Sequence, residues 1–189
     1  YYTVPLTITA ESASRAYNAQ PLTQPDFKVE GLVNGDQKKD ITLSIALPLR
    51  DLLTSAGAKV VMTRSTDKDV YGPWADATTE LQARCDVANE AHADAFVSIH
   101  IDSFANSSID GITAYYNGKS ANDLLLAQMM HQATINSLSI PDRGVRSNDF
   151  YVNVHTAMPS VLMEVGFITN NHRAVSYTHL RAHETLRHL

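Results

Sequence analysis

Residues 95–103, Ala-Phe-Val-Ser-Ile-His-Ile-Asp-Ser, constrain the fold of this 189-residue chain more than any other stretch. The run from Ala95 to Ile99 is too short for a helix and rich in Val, Ile and Phe, so it predicts a buried strand. Polar residues follow at once: His100, Asp102 and Ser103. In an open α/β sheet, binding sites form beyond the carboxyl ends of the strands. His100 is therefore placed for chemistry, either as a metal ligand or, in the plainer reading, as a core histidine satisfied by backbone.

The length suits one domain, and 44% hydrophobic with 19% charged residues is a globular balance. A formal net charge of −5 argues against a nucleic-acid-binding surface, so no nucleic-acid partner is expected. The single cysteine, Cys85, excludes an internal disulfide framework and sits in a helical pattern that favours burial. No apolar run approaches the length of a transmembrane segment. A monomer is expected.

Residues 1–8 alternate apolar and polar positions like a strand, although Pro5 weakens the pattern, and residues 11–36, with two Pro and two Gly, predict a long loop. Residues 40–56 predict a helix, with Asp40 as N-cap or first-turn acid, Pro48 inside and Gly57 as the stop. Residues 59–63 predict a strand, and the order helix, Gly, strand points to an αβ unit. A polar loop over 65–77 leads into a second helix, capped by Thr78 or Thr79 and ending near Ala91. Beyond the central strand come a loop over 104–110, a strand over 111–116 and a helix over 121–138 whose Leu124, Leu125, Met129 and Ile135 are expected to face the core. Residues 141–144 predict a turn, 150–154 a short strand, 160–165 a second apolar strand and 166–170 a loop. The expected architecture is α/β, three-layered, with a mostly parallel central sheet flanked by helices. Residues 1–174 are assigned to one domain with an atypical segment over 1–39, and 175–189 to a non-native or disordered tail resembling translated adapter sequence. Within that tail His179 and His183 stand at metal-binding spacing but lack the adjoining glutamate of the known motif.

Glu164 is the second informative residue, because it interrupts the otherwise apolar run Val161-Leu162-Met163-Glu164-Val165. A buried carboxylate is costly unless it is paired or bound to metal. It is either salt-bridged to Arg64, Arg143 or Arg146, or it is a general base with a raised pKa acting on a metal-bound water.

Four motifs in order carry a family resemblance: Met62-Thr63-Arg64, then residues 81–89 (Leu-Gln-Ala-Arg-Cys-Asp-Val-Ala-Asn), then 94–100, then 158–170 (Met-Pro-Ser-Val-Leu-Met-Glu-Val-Gly-Phe-Ile-Thr-Asn). Together, over residues 40–170, they resemble the zinc-dependent N-acetylmuramoyl-L-alanine amidases of bacterial cell walls, the amidase_3 type. The resemblance implies hydrolysis of the amide between N-acetylmuramic acid and L-alanine by a zinc-activated water, with peptidoglycan as partner and action in the periplasm or cell wall. It implies Zn2+ as cofactor, His100 as a metal ligand and Glu164 as the catalytic residue. Arg64, Arg84 and Asn89 fall at recurring positions and are expected to support the fold. The sequence departs from the pattern in two places. No histidine precedes His92, and Lys38 stands where the family has a glutamate ligand, so two of the three usual ligands are not found. A degenerate, non-catalytic domain that binds peptidoglycan is the alternative reading.

Overall fold

The computed structural model describes residues 7–10, 27–30, 34–72, 74–174 and 176–177. In chain order these residues form β1 (Thr7–Ala10), β2 (Phe27–Glu30), α1 (Asn34–Ser55), α2 (Ala77–Glu90), β3 (Phe96–Asp102), β4 (Ile112–Tyr116), α3 (Ala121–Ser137), β5 (Asp142–Ser147), α4 (Tyr151–His155) and β6 (Ser160–Phe167). β1 and β2 pair antiparallel as a small separate sheet, which puts strand rather than loop at residues 27–30. The rest of the expected strand over 1–8, and His179 and His183, lie outside the described residues.

The main sheet has the order β3-β6-β4-β5. β3 runs parallel to β6 and β4 parallel to β5, while the central β4–β6 pairing is antiparallel. The sheet is thus mixed, with parallel pairings on both flanks. Side chains alternate across it. On one face Phe96 and Leu162 pack with Cys85 and Ala88 of α2 and Val152 of α4. On the other, Val161 and Met163 pack with Ile112 and Ala114 of β4 and Ala127 of α3. Helices therefore cover both faces and the three layers expected from the sequence are present. A third cluster, Ile41, Ile101, Ile168 and Tyr177, joins α1 to the ends of β3 and β6, so packing continues past Ala174. Between His100 and Asp102 the register shifts, and two steps along β3 match three along β6. Such an extra residue bends a strand and re-aims its side chains. Gly166 lies within the bulge with φ of 133°, a backbone conformation that disfavours other residues.

Several local expectations are corrected. α1 begins at Asn34, six residues before Asp40, because Gln37, Lys38 and Lys39 are good helix formers despite their polarity. Residues 59–63 form no strand: apolar content does not make a strand without a backbone partner, and β3 ends the main sheet. α2 is capped by Asp76, whose carboxylate accepts the Thr79 N–H at 2.7 Å, so Thr79 receives the cap rather than providing it. The turn expected at 141–144 opens strand β5, and the strand expected at 150–154 is helix α4. Here tertiary pairing with β4 and packing against α2 override local propensity. β6 extends two residues beyond Val165.

α3 has the expected span but presents a different face. Leu124, Leu125 and Met129 are exposed, whereas Asp123, Ala127 and His131 are buried at helical spacing, with Ile135 partly buried beside them. The face is selected by a polar anchor. Asp123 is fully buried; its Oδ2 accepts from the Ser120 N–H (2.7 Å) and hydroxyl (2.8 Å), and its Oδ1 accepts from the Ser160 N–H (3.0 Å). Lys119 Nζ lies 3.4 Å away and also donates to Ser160 Oγ at 2.8 Å. Burial raises the Asp123 pKa, but the donors from Ser160 and Ser120 outweigh it and hold the carboxyl below its ordinary value. Removing one partner of a buried, bonded charge costs about 3–5 kcal/mol. Asp123→Ala is expected to lower unfolding free energy by about that amount in urea, while Leu124→Ala, on the outer face, costs under roughly 1 kcal/mol.

Candidate active site

His100 and Glu164 stand directly opposite each other in the parallel β3–β6 ladder. Alternation places Glu164 on the same face as Leu162, and His100 on that of Phe96, the face covered by α2. Both residues therefore meet at the carboxyl end of a parallel strand pair. His100 Nε2 lies 3.1 Å from Ser98 Oγ, two residues back on the same strand face. Beyond the strand end, Asp102 Oδ1 accepts the Ser103 N–H at 2.7 Å, and Lys38 of α1 donates to Ser103 Oγ at 2.9 Å.

Burial dominates the electrostatics. It lowers the pKa of His100 to about 4, with Arg84 and Lys38 adding to the effect and Asp102 opposing it. The imidazole is neutral at pH 7. Burial also raises Glu164 to about 7, with Asp102 adding and Lys38 opposing. Glu164 Oε2 is buried and has no hydrogen-bond partner among the described residues. The three arginines considered as partners for Glu164 are engaged elsewhere. Arg64 donates to Lys39 O and Thr42 Oγ1, Arg146 donates to Arg143 O, and Arg143 lies over the Phe167 ring. Of the carboxylate's two sequence readings, the raised pKa is the one the environment produces.

The supporting residues act as the sequence implied. Arg84 pairs with Glu80 at 3.1 Å, and Asn89 bridges His155 O (3.1 Å) and the Ala157 N–H (2.8 Å), fixing the approach to β6. A cleft of about 480 Å³ opens beside the strand ends, lined by Ser103, Phe104, Ser107, Ile168 and Thr169. Its two walls are tied by the Phe104 N–H to Thr169 Oγ1 (3.0 Å) and Asn170 Nδ2 to Ser107 O (3.1 Å). These loop residues carried no sequence signal beyond following the two strands.

A model of the N-acetylmuramoyl-L-alanine amidase family, Amidase_3, matches residues 26–186. The chain belongs to this family. It is 37% identical over 140 residues to the Bacillus subtilis protein YqiI, covering 73% of this chain and 63% of that one. It is also 37% identical over 139 residues to the N-acetylmuramoyl-L-alanine amidase LytC of Bacillus subtilis, covering 72% of this chain and 26% of the relative. The chain thus spans under two-thirds of the length of these relatives. Among solved structures, the catalytic domain of the amidase CwlV from Paenibacillus polymyxa superposes with a TM-score of 0.65 at 31% identity, covering 74% of this chain and 73% of that one.

Amidases of this family are in general zinc-dependent, and a catalytic zinc usually has three protein ligands. The donors described here do not fit such a site. Among the described residues no three His, Cys, Asp or Glu side chains converge. His155 bonds Tyr151 O through Nδ1 at 2.9 Å and stacks on the Tyr151 ring, and His131 pairs with Asp142 at 3.0 Å, so neither joins His100. The Lys38 ammonium bears on both His100 and Glu164, and a cation there repels a metal.

Glu164 makes stability depend on pH in a defined direction. A carboxyl whose pKa rises on folding keeps its proton longer in the folded state, so its stabilising contribution is complete below about pH 4.5 and is lost as the pH rises to about 7. At 1.36 kcal/mol per pH unit the loss is roughly 3 kcal/mol. His100, held neutral on folding, acts in the opposite sense over the same range, so the Glu164 effect is read as a difference between proteins: from pH 4.5 to 7.5 in urea unfolding, Glu164→Gln is expected to gain roughly 3 kcal/mol relative to the wild type.

Proposed function

We propose that this domain hydrolyses the amide joining the lactyl group of N-acetylmuramic acid to L-alanine in peptidoglycan. The observation that carries the reading is the pairing of Glu164 with His100 near the carboxyl ends of β3 and β6 in an amidase-family fold, with a cleft lined by the residues that follow both strands. With its pKa near 7, Glu164 exchanges a proton readily at neutral pH. As carboxylate it takes a proton from the water attacking the amide carbonyl carbon; as acid it returns that proton to the departing amine of L-alanine. The C–N bond breaks and a carboxylic acid and a free amine result. Phe104 and Ile168 give the cleft apolar wall, and Ser103, Ser107 and Thr169 give it hydroxyls for a substrate that is part sugar and part peptide. Peptidoglycan places the site of action outside the cytoplasmic membrane. Among the described residues no helix is long and apolar enough to cross a membrane.

The test is release of L-alanyl amino groups from purified muropeptide, measured with and without added Zn2+. Glu164→Gln is expected to lower the rate by about 10²–10⁴-fold, the usual contribution of a positioned acid–base group, with the fold intact by circular dichroism. Muropeptide binding without amine release under either condition would make the domain a binder and not a hydrolase. Lys38→Glu is expected to raise Zn2+ affinity by more than about tenfold in a chelator competition assay. Replacing the cation that bears on His100 and Glu164 with an anion turns a repulsion into an attraction for a divalent ion.

A further inference from the structure

A second groove lies on the other side of α2 from the active site. Arg84 faces His100, whereas Gln82 and Asp86, two residues before and after it, point to the opposite side of the helix. The groove has a volume of about 300 Å³ and is lined by Tyr71, Thr78, Thr79, Gln82, Asp86 and Tyr151. One helix diameter, ~10 Å, separates it from the catalytic face.

Its polar groups form an ordered chain. The Tyr151 hydroxyl donates to Gln82 Oε1 at 2.8 Å, and Gln82 Nε2 donates to Asp86 Oδ1 at 2.7 Å. The loop that carries Tyr71 is clamped, because the two oxygens of Glu80 accept the N–H groups of Val70 (3.0 Å) and Tyr71 (2.9 Å). Glu80 also holds Arg84, so the loop is fixed to the helix. On this loop Tyr71 is 68% exposed, and nearby Trp74 is 96% exposed. An exposed Tyr ring beside a row of polar groups suits a ligand that has both an apolar face and hydrogen-bonding groups.

We propose that this groove binds the N-acetylated amino-sugar strand of peptidoglycan, away from the bond that is cut. The chemistry selects a sugar over a peptide stem. A pyranose ring offers a flat C–H face to Tyr71, and hydroxyl and acetamido groups to Thr78, Thr79, Gln82 and Asp86. The lining holds no cation among the described residues, so a peptide carboxylate finds no partner there, and Asp86 repels it. The identity of the polymer rests on the function proposed above; the presence of a sugar site does not.

The probe is tetra-N-acetylchitotetraose, which has no lactyl group and no peptide. Trp74 is the only tryptophan in the sequence, so its emission reports on this loop. Titration of the full chain is expected to shift the emission to shorter wavelength and saturate, with half-saturation near ~1 mM. Tyr71→Ala and, independently, Asp86→Ala are expected to weaken binding by about five- to tenfold, with unchanged circular dichroism. Glu164→Gln is expected to bind the saccharide as the wild type does. No saturable shift up to about 10 mM would overturn the proposal, as would wild-type affinity in both groove variants. Loss of binding in Glu164→Gln would also overturn it, by placing the sugar in the catalytic cleft. Saccharide binding without muropeptide hydrolysis would uphold the groove and refute the proposed activity.

Discussion

The parallel pairing of β3 with β6 is the constraint on which the candidate site depends. It sets His100 opposite Glu164, and it directs both strand ends toward one cleft. Neither residue reaches the other by its own loop geometry; each is delivered by an apolar strand whose register is fixed by the core. Val161 and Met163 on one face and Leu162 on the other are all nearly or fully buried, so a slip by one residue would exchange the faces and drive Glu164 into the α3 side. The chemistry is thus held in place by packing free energy supplied mostly by side chains that take no part in it.

Around that pair the charges come from several elements. A neutral imidazole and a carboxyl that titrates near neutrality face an ammonium from α1. The ammonium is anchored on Ser103, at the end of β3, so α1 contributes to the site only because its polar first turns remain helical. Arg84 adds a second positive field from α2 while its guanidinium is committed to Glu80. The result is a pair whose electrostatics is set from α1, α2 and the end of β3.

Much of this was legible in the sequence, and the exceptions have physical causes. The strands carrying His100 and Glu164 could be read because they are largely apolar runs broken by few polar residues. The Glu164 environment followed from the same fact, since a lone carboxyl in such a run has few routes to stabilisation. The family could be read because four motifs recur in order. The orientation of α3 could not, because apolar residues occur all round the helix and the deciding group is a buried aspartate that looks like a surface residue. β5 and α4 were inverted for a related reason: Asp142, Arg143 and Gly144 look like a turn until β4 offers them a partner, and Tyr151 to Val154 look like a strand until α2 offers them a surface. Lys38 was visible as a misplaced residue type, but its anchoring on Ser103 is a contact across 65 positions of sequence. The cleft past the ends of β3 and β6 is lined mostly by loop residues, whose composition carries little information about where they point.

The bulge at Gly166 can be understood as a change of parity. A strand counts in twos, and every second residue belongs to the same face. Up to Glu164, β6 counts in step with β3, and its even-numbered residues serve the side on which catalysis is proposed. One added residue resets the count, so that Phe167 pairs with Asp102 and Ile168 joins Ile41, Ile101 and Tyr177 beneath α1. A single strand thereby addresses two different neighbourhoods in succession. Deleting one residue at this point would leave the chemical half of β6 in phase and put the structural half out of phase, detaching α1, and Lys38 with it, from the end of the sheet.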